Sequence, residues 1–158
     1  MLRRYLILII ALSGTLSAVQ LGVLVVDYAD STASANMIVA RILRFQLAQA
    51  VNGSLSAIAD LDIQDPARVH VNITYVSYQL IVKGEYVTDG SRTFFPNLML
   101  NAMSSVDLHV TLDIPVGRLQ VVLKAPKEAM QMLLFITTKT SYGVGILRFT
   151  LQPEILVS

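Results

Sequence analysis

Two kinds of hydropathy pattern divide this chain. From Tyr5 to Val26 no charged residue interrupts the run. A helix of that length rises about 33 Å, against a hydrocarbon layer of about 30 Å. The run therefore predicts a transmembrane helix behind a short basic tip, Met1 to Arg4. Asp27 to Asn36 is small and polar, which fits a spacer or the last exposed turns of that helix. Met37 to Ala50 admits two readings. Leu43, Phe45 and Leu47 alternate as a strand would, whereas Ile38, Ile42 and Phe45 follow helical spacing, and the Ala, Leu, Arg and Gln content favours helix.

From residue 54 onward the pattern has a period of two. Leu55, Ala57, Ala59, Leu61 and Ile63 alternate with Ser54, Ser56, Asp60 and Asp62, Ile58 being the exception. This is a half-buried strand, and Asp65-Pro66 ends it, since proline supplies no ladder donor. Apolar residues then occupy odd positions (Val69, Val71, Ile73, Tyr75) and switch to even ones (Val76, Tyr78, Leu80, Val82). One buried face survives that switch only if a bulge or bend near Tyr75 and Val76 resets the pleat. Lys83-Gly84-Glu85 is a turn, and a return strand from Tyr86 stops at Asp89-Gly90. Ser91 to Ser104 lacks a clean period and reads as a long connection whose aromatics cover an end of the core. Val106, Leu108, Val110, Leu112 and Ile114 form the cleanest alternation, closed by Pro115. Met132 to Thr138, a turn at Ser141-Tyr142-Gly143 and a strand around Ile146 to Leu151 complete a set of about seven strands. Short strands separated by turn signals argue for an antiparallel β-sandwich.

Composition agrees with this division. The 158 residues fit one domain plus an appendage, and 54% hydrophobic with 15% charged residues departs from an ordinary soluble domain in the direction a membrane segment would cause. Arg3 and Arg4 precede the span and no Lys or Arg follows closely, which puts the N-terminus in the cytoplasm and the β-domain outside it. A cleaved signal peptide, cut near Ser17 or Ala18, competes with the uncleaved anchor. The apolar run Leu21 to Val26 after such a cut favours the anchor. Gly14, Ala18 and Gly22, four residues apart, offer a face for self-association of two such helices. A net charge of +1 with scattered basic residues offers no field for nucleic acid. With no cysteine there is no disulfide framework and no thiolate chemistry.

No catalytic or cofactor constellation emerges. His70 and His109 each fall on the polar side of a strand, without metal-ligand spacing. Asp60, Asp62 and Asp65 lack the surroundings of a calcium loop and read as a solvated strand edge. No nucleophile elbow or phosphate-binding loop is present, so catalytic, cofactor and metal residues are all read as none. Asn52-Gly53-Ser54 and Asn72-Ile73-Thr74 are N-glycosylation sequons on expected solvent-facing positions.

The stretch from Asp65-Pro66 through Tyr78, Leu80, Val82, Gly84, Val87 and Gly90 resembles the late embryogenesis abundant proteins of the WHy-domain type. Their pattern is an Asn-Pro pair, an extended segment, then Y-x-L-x-V-x-G-x-x-V-x-x-G. Here Asp65 stands where the family usually has Asn. The resemblance implies a first strand within Met37 to Ala50 and a short helix within Arg118 to Leu123. It also implies stress association without catalysis, and for anchored relatives contact with lipids or membrane partners. The expected fold is thus mainly β: an N-terminal transmembrane helix and an immunoglobulin-like or fibronectin-like antiparallel sandwich of about seven strands with one short helix. Residues 1–27 are the anchor, 28–36 the spacer and 37–158 the extracytoplasmic domain. A lipid groove between the sheets is expected along Phe94 to Leu100, flanked by Met130 to Phe135. The alternative is a pilin-like filament subunit, with Tyr5 to Val26 in the fibre core and Met37 to Ala50 helical.

Overall fold

The computed structural model describes residues 2–49, 54–67 and 69–152. Helix α1 (Leu2–Met37) leads into seven strands: β1 (Val39–Gln49), β2 (Leu55–Asp65), β3 (Val71–Val82), β4 (Glu85–Leu100), β5 (Ser104–Ile114), β6 (Met130–Thr140) and β7 (Gly143–Leu151). Short helix α2 (Leu119–Leu123), flanked by single 3-10 turns at Val116–Arg118 and Lys127–Ala129, bridges β5 and β6. The strands form a three-stranded sheet ordered β1-β2-β5 and a four-stranded sheet ordered β4-β3-β6-β7, all pairs antiparallel. This three-on-four division is that of a fibronectin-like sandwich.

The inner faces of both sheets supply the core. Phe45, Leu61 and Leu112 of one sheet and Ile73, Leu80, Leu100, Met132, Leu134 and Ile136 of the other are fully buried. Each such side chain contributes roughly 1.5–3 kcal/mol when it leaves water. In β3 the pairing slips between Ile73 and Tyr75 in the ladders to both β4 and β6. Thr74 is the extra residue, and its Oγ1 donates to the Thr137 carbonyl at 3.2 Å. The bulge required by the switch from odd to even apolar positions is therefore present, and Val71, Ile73, Val76, Tyr78, Leu80 and Val82 all stay buried.

Several expectations need correction. Among the described residues no helix is long and apolar enough to cross a membrane. That finding overturns the expected single-pass anchor and the cell-membrane placement of the domain that rested on it. The helix also continues through Met37, so Asp27 to Asn36 forms its last turns, the second of the two readings of that stretch. Residues 39–49 are a strand, which removes one of the two conditions of the pilin-like alternative.

Ser91 to Ser104 is not a long connection either. Strand β4 runs on to Leu100, because Tyr75 pairs with Thr93 and Ile73 with Leu98. Residues 94–97 stand out of the ladder there, leaving Phe95 99% exposed while Phe94 packs on the core. The expected lipid groove is filled: Leu100, Met130, Met132 and Leu134 are core residues, and Gln131, Leu133 and Phe135 lie on the opposite, outer face.

The motif residues are assigned to the fold. Tyr78, Leu80, Val82 and Val87 are buried. Lys83 and Gly84, at φ 53° and 79°, form the two-residue turn between β3 and β4, which demands left-handed backbone at both positions. Gly90 pairs with Tyr78, whose ring lies so close that a Cβ added at Gly90 would meet Tyr78 Cε2 at 2.5 Å. Gly90→Ala should therefore displace the Tyr78 ring and lower stability by about 1–3 kcal/mol, read as a lower urea midpoint at unchanged m-value.

Candidate functional site

The end of the sandwich next to α1 gathers three connections: β2 to β3, β4 to β5, and β6 to β7. Asp65 is the last residue of β2 and pairs with Ser104, the first of β5. Its Oδ1 accepts from the Ala67 N–H at 2.9 Å, closing the turn over Pro66. The Ala67 carbonyl accepts from the Met103 N–H at 3.0 Å, which ties this turn to the one between β4 and β5. In that second turn the Asn101 carbonyl accepts from the Ser104 N–H and, at 2.7 Å, from Ser104 Oγ. Gln64, Asp65, Pro66, Met103, Ser104 and Ser105 line a cavity of about 510 Å³ at this end.

Asp65 is the distinctive group here. It is 1% exposed, and its Oδ2 meets no donor among the described residues. Burial pushes its carboxyl above the usual carboxylate range, against the opposing pull of the Ala67 N–H. A half-satisfied buried carboxyl can accept a hydrogen bond from a ligand or hold a proton. No residue lining the cavity pairs with it as a nucleophile or base.

Beside α1, Tyr28, Thr32 and Asn36 face Thr138, Thr140 and Tyr142 to Gly145 across a cleft of about 220 Å³. The Tyr28 and Tyr142 rings meet edge to face with centroids 5.3 Å apart, and the Tyr142 hydroxyl donates to Asp27. That hydrogen bond raises the Tyr142 phenol above its ordinary range.

The remaining candidate residues lie apart. Asp60 and Asp62 do share the outer face of β2, but as members of a cross-strand ladder. Arg41 Nε donates to Asp62 Oδ2 at 2.7 Å, Gln64 Nε2 donates to the same oxygen at 2.6 Å, and His109 Nδ1 lies 2.6 Å from Asp60 Oδ1. Asp62 is not solvated, at 3% exposure, and its Oδ1 has no partner among the described residues. No group of three potential metal ligands occurs among the described residues. His70 is exposed at the start of β3. Asn72 sits half-buried on the outer face of β3 in register with Met99 and Lys139, whereas Asn52 lies outside the described residues. Gly22 is open on α1, with nothing within 4 Å of an added Cβ, while the side chains of residues 1–14, Gly14 among them, are outside the description. The orphaned oxygen of Asp65 had one sequence signal, an acid in place of the usual Asn before Pro66.

Because the folded-state pKa of Asp65 is raised, the native chain holds that proton more tightly than the unfolded chain does. The contribution is complete below the unfolded carboxylate pKa of about 4 and is lost as pH rises through the folded value. Asp65→Asn keeps the acceptor for Ala67 and removes the ionisation. Its melting temperature should exceed that of the wild type at pH 7, with the gain shrinking toward pH 4. Asp65→Ala loses the acceptor and should cost about 1 kcal/mol at pH 4 and less at pH 7, where the wild type has lost the contribution of the proton, measured by urea unfolding.

No family model and no curated protein matches the chain. Among solved structures it is similar to the solution structure of a protein assigned as late embryogenesis abundant, at 18% identity over 81% of this chain and 75% of that one, with a TM-score of 0.50. It is also similar to the solution structure of a protein from Arabidopsis thaliana, at 13% identity over 70% of this chain and 76% of that one, with a TM-score of 0.51. A crystal structure of a protein from Archaeoglobus fulgidus matches at 13% identity over 72% of this chain and 89% of that one, with a TM-score of 0.48. The first two share the sandwich fold with this chain, and the resemblance read from Asp65 to Gly90 therefore holds at the level of fold.

Proposed function

We propose that this chain is a non-catalytic, stress-associated β-sandwich module of the late embryogenesis abundant type, acting by protective contact with other proteins and not by turnover of a substrate. The observation that carries this reading is where the motif residues go. Tyr78, Leu80, Val82 and Val87 are buried in the core, Gly84 makes a turn and Gly90 seats a ring. These motif residues thus specify a fold. The solved structure assigned as late embryogenesis abundant shares that fold, which supports the same class of role. Two exposed polar pairs are Asp60 with His109 and Arg118 with Glu85. Such pairs contribute little stability each.

The test is a drying and rehydration assay on a labile enzyme, with the full chain compared against an equal mass of serum albumin. Retained client activity well above the albumin control is expected, and it should be the same for the Asp65→Asn variant. Protection no better than albumin overturns the reading, as does hydrolysis of a chromogenic ester or glycoside that Asp65→Asn abolishes.

A further inference from the structure

Strand β7 is the edge of the four-stranded sheet and, apart from the single charge of Arg148, carries little of the usual protection of an edge. Its sequence, Gly-Val-Gly-Ile-Leu-Arg-Phe-Thr-Leu, has no proline, no lysine and no bulge in its ladder to β6. The opposite edge, β4, is interrupted by the protruding residues 94–97 and carries Glu85, Asp89 and Arg92. On β7 the turn Ser141-Tyr142 makes Thr140 and Gly143 the first pair, so alternation turns the N–H and C=O of Val144, Ile146, Arg148 and Thr150 away from β6. Val144 and Ile146 are 67% and 71% exposed, and Leu147, Phe149 and Leu151 on the inner face are only half-buried.

We propose that the β7 edge is a self-association surface, pairing antiparallel with β7 of a second copy about a two-fold axis at Leu147. The sequence of the strand is complementary to itself in that register. On the inner face Leu147 meets Leu147, while Phe149 and Leu151 of one copy come opposite Gly145 and Gly143 of the other. Large side chains therefore land on residues that have none, the arrangement already made within the chain by Tyr78 over Gly90. Nothing lies within 4 Å of a Cβ added at Gly143, where Leu151 would land, and a Cβ added at Gly145 would meet Thr138 Oγ1 at 3.1 Å, so Phe149 would seat in contact with that hydroxyl. On the outer face Arg148 faces Ile146 and Val144 faces Thr150, and no like charges are opposed. An isologous pair of this kind closes on itself and removes both exposed edges.

The chain contains no cysteine, so single substitutions report on the register cleanly. The full chain is examined in a mild non-ionic detergent by sedimentation velocity and by oxidation of single-cysteine variants. A dimer is expected, with Leu147→Cys cross-linking readily, because non-hydrogen-bonded antiparallel pairs bring Cα atoms to about 4.5 Å. Thr150→Cys, far from its symmetry mate, should stay reduced. Ile146→Lys sets like charges against Arg148 and should weaken the dimer about tenfold or more, with an unchanged far-UV spectrum and melting temperature of the monomer. A monomeric wild type, equal cross-linking at positions 147 and 150, or a dimer indifferent to Ile146→Lys overturns the proposal. The last outcome would move the association to α1.

Discussion

The constraint on which the sandwich depends is that β3, paired on both sides, must keep one face in the core along its whole length. Its apolar residues change parity once, and a flat strand would put half of them into water. The extra residue at Thr74 resolves the conflict by slipping both ladders at the same level. Everything else is arranged about that slip. Residues 94–97 protrude from β4 opposite Thr74, and Tyr75, turned outward, is 37% exposed beside buried Val76. Beyond the slip, the Tyr78 ring closes over Gly90 and fixes the spacing of β3 and β4.

How much of this was legible in the sequence depended on whether an element kept a single period. β2 and β5 do, and their limits at Asp65-Pro66 and Ile114-Pro115 could be read directly. β3 could be read because its parity changes once between two long alternating runs. β1 could not be read from periodicity alone. Its ladder slips between Ile42 and Arg44, so the inward residues are Ile38, Ala40, Ile42, Phe45 and Leu47. One bulge thereby widens a single spacing from two to three, and with Ala40 passed over the large residues Ile38, Ile42 and Phe45 fall four and three apart, as on a helix face. β4 hid its second half in the same way, the four protruding residues breaking its alternation. In α1 the apolar run was plain but its structural meaning was not, since hydropathy fixes neither where a helix ends nor what it meets.

The candidate site was legible only as punctuation. Asp65-Pro66 was read as a strand stop, which it is. What spacing could not show is that the side chain turns inward at the mouth of the core, where its carboxyl is short of one partner. Asp60 and Asp62 were read correctly as sharing a face, but cross-strand neighbours decide their state: Arg41 and Gln64 cover Asp62 and bury it. Burial of an outer-face acid depends on register between distant strands, and that information lies in pairs of segments.

The hydrogen bond from Met103 to the Ala67 carbonyl has a mechanical side. It joins the two connections at the α1 end of the sandwich, while β1 begins at that end and β7 finishes at the other. Tension applied through α1 and through Leu151 would run along the strand axes of β1 and β7, perpendicular to their ladder hydrogen bonds. Those bonds would be sheared together and not peeled one at a time. Stretched along its strand axes, the domain would yield only when a whole ladder gives way at once.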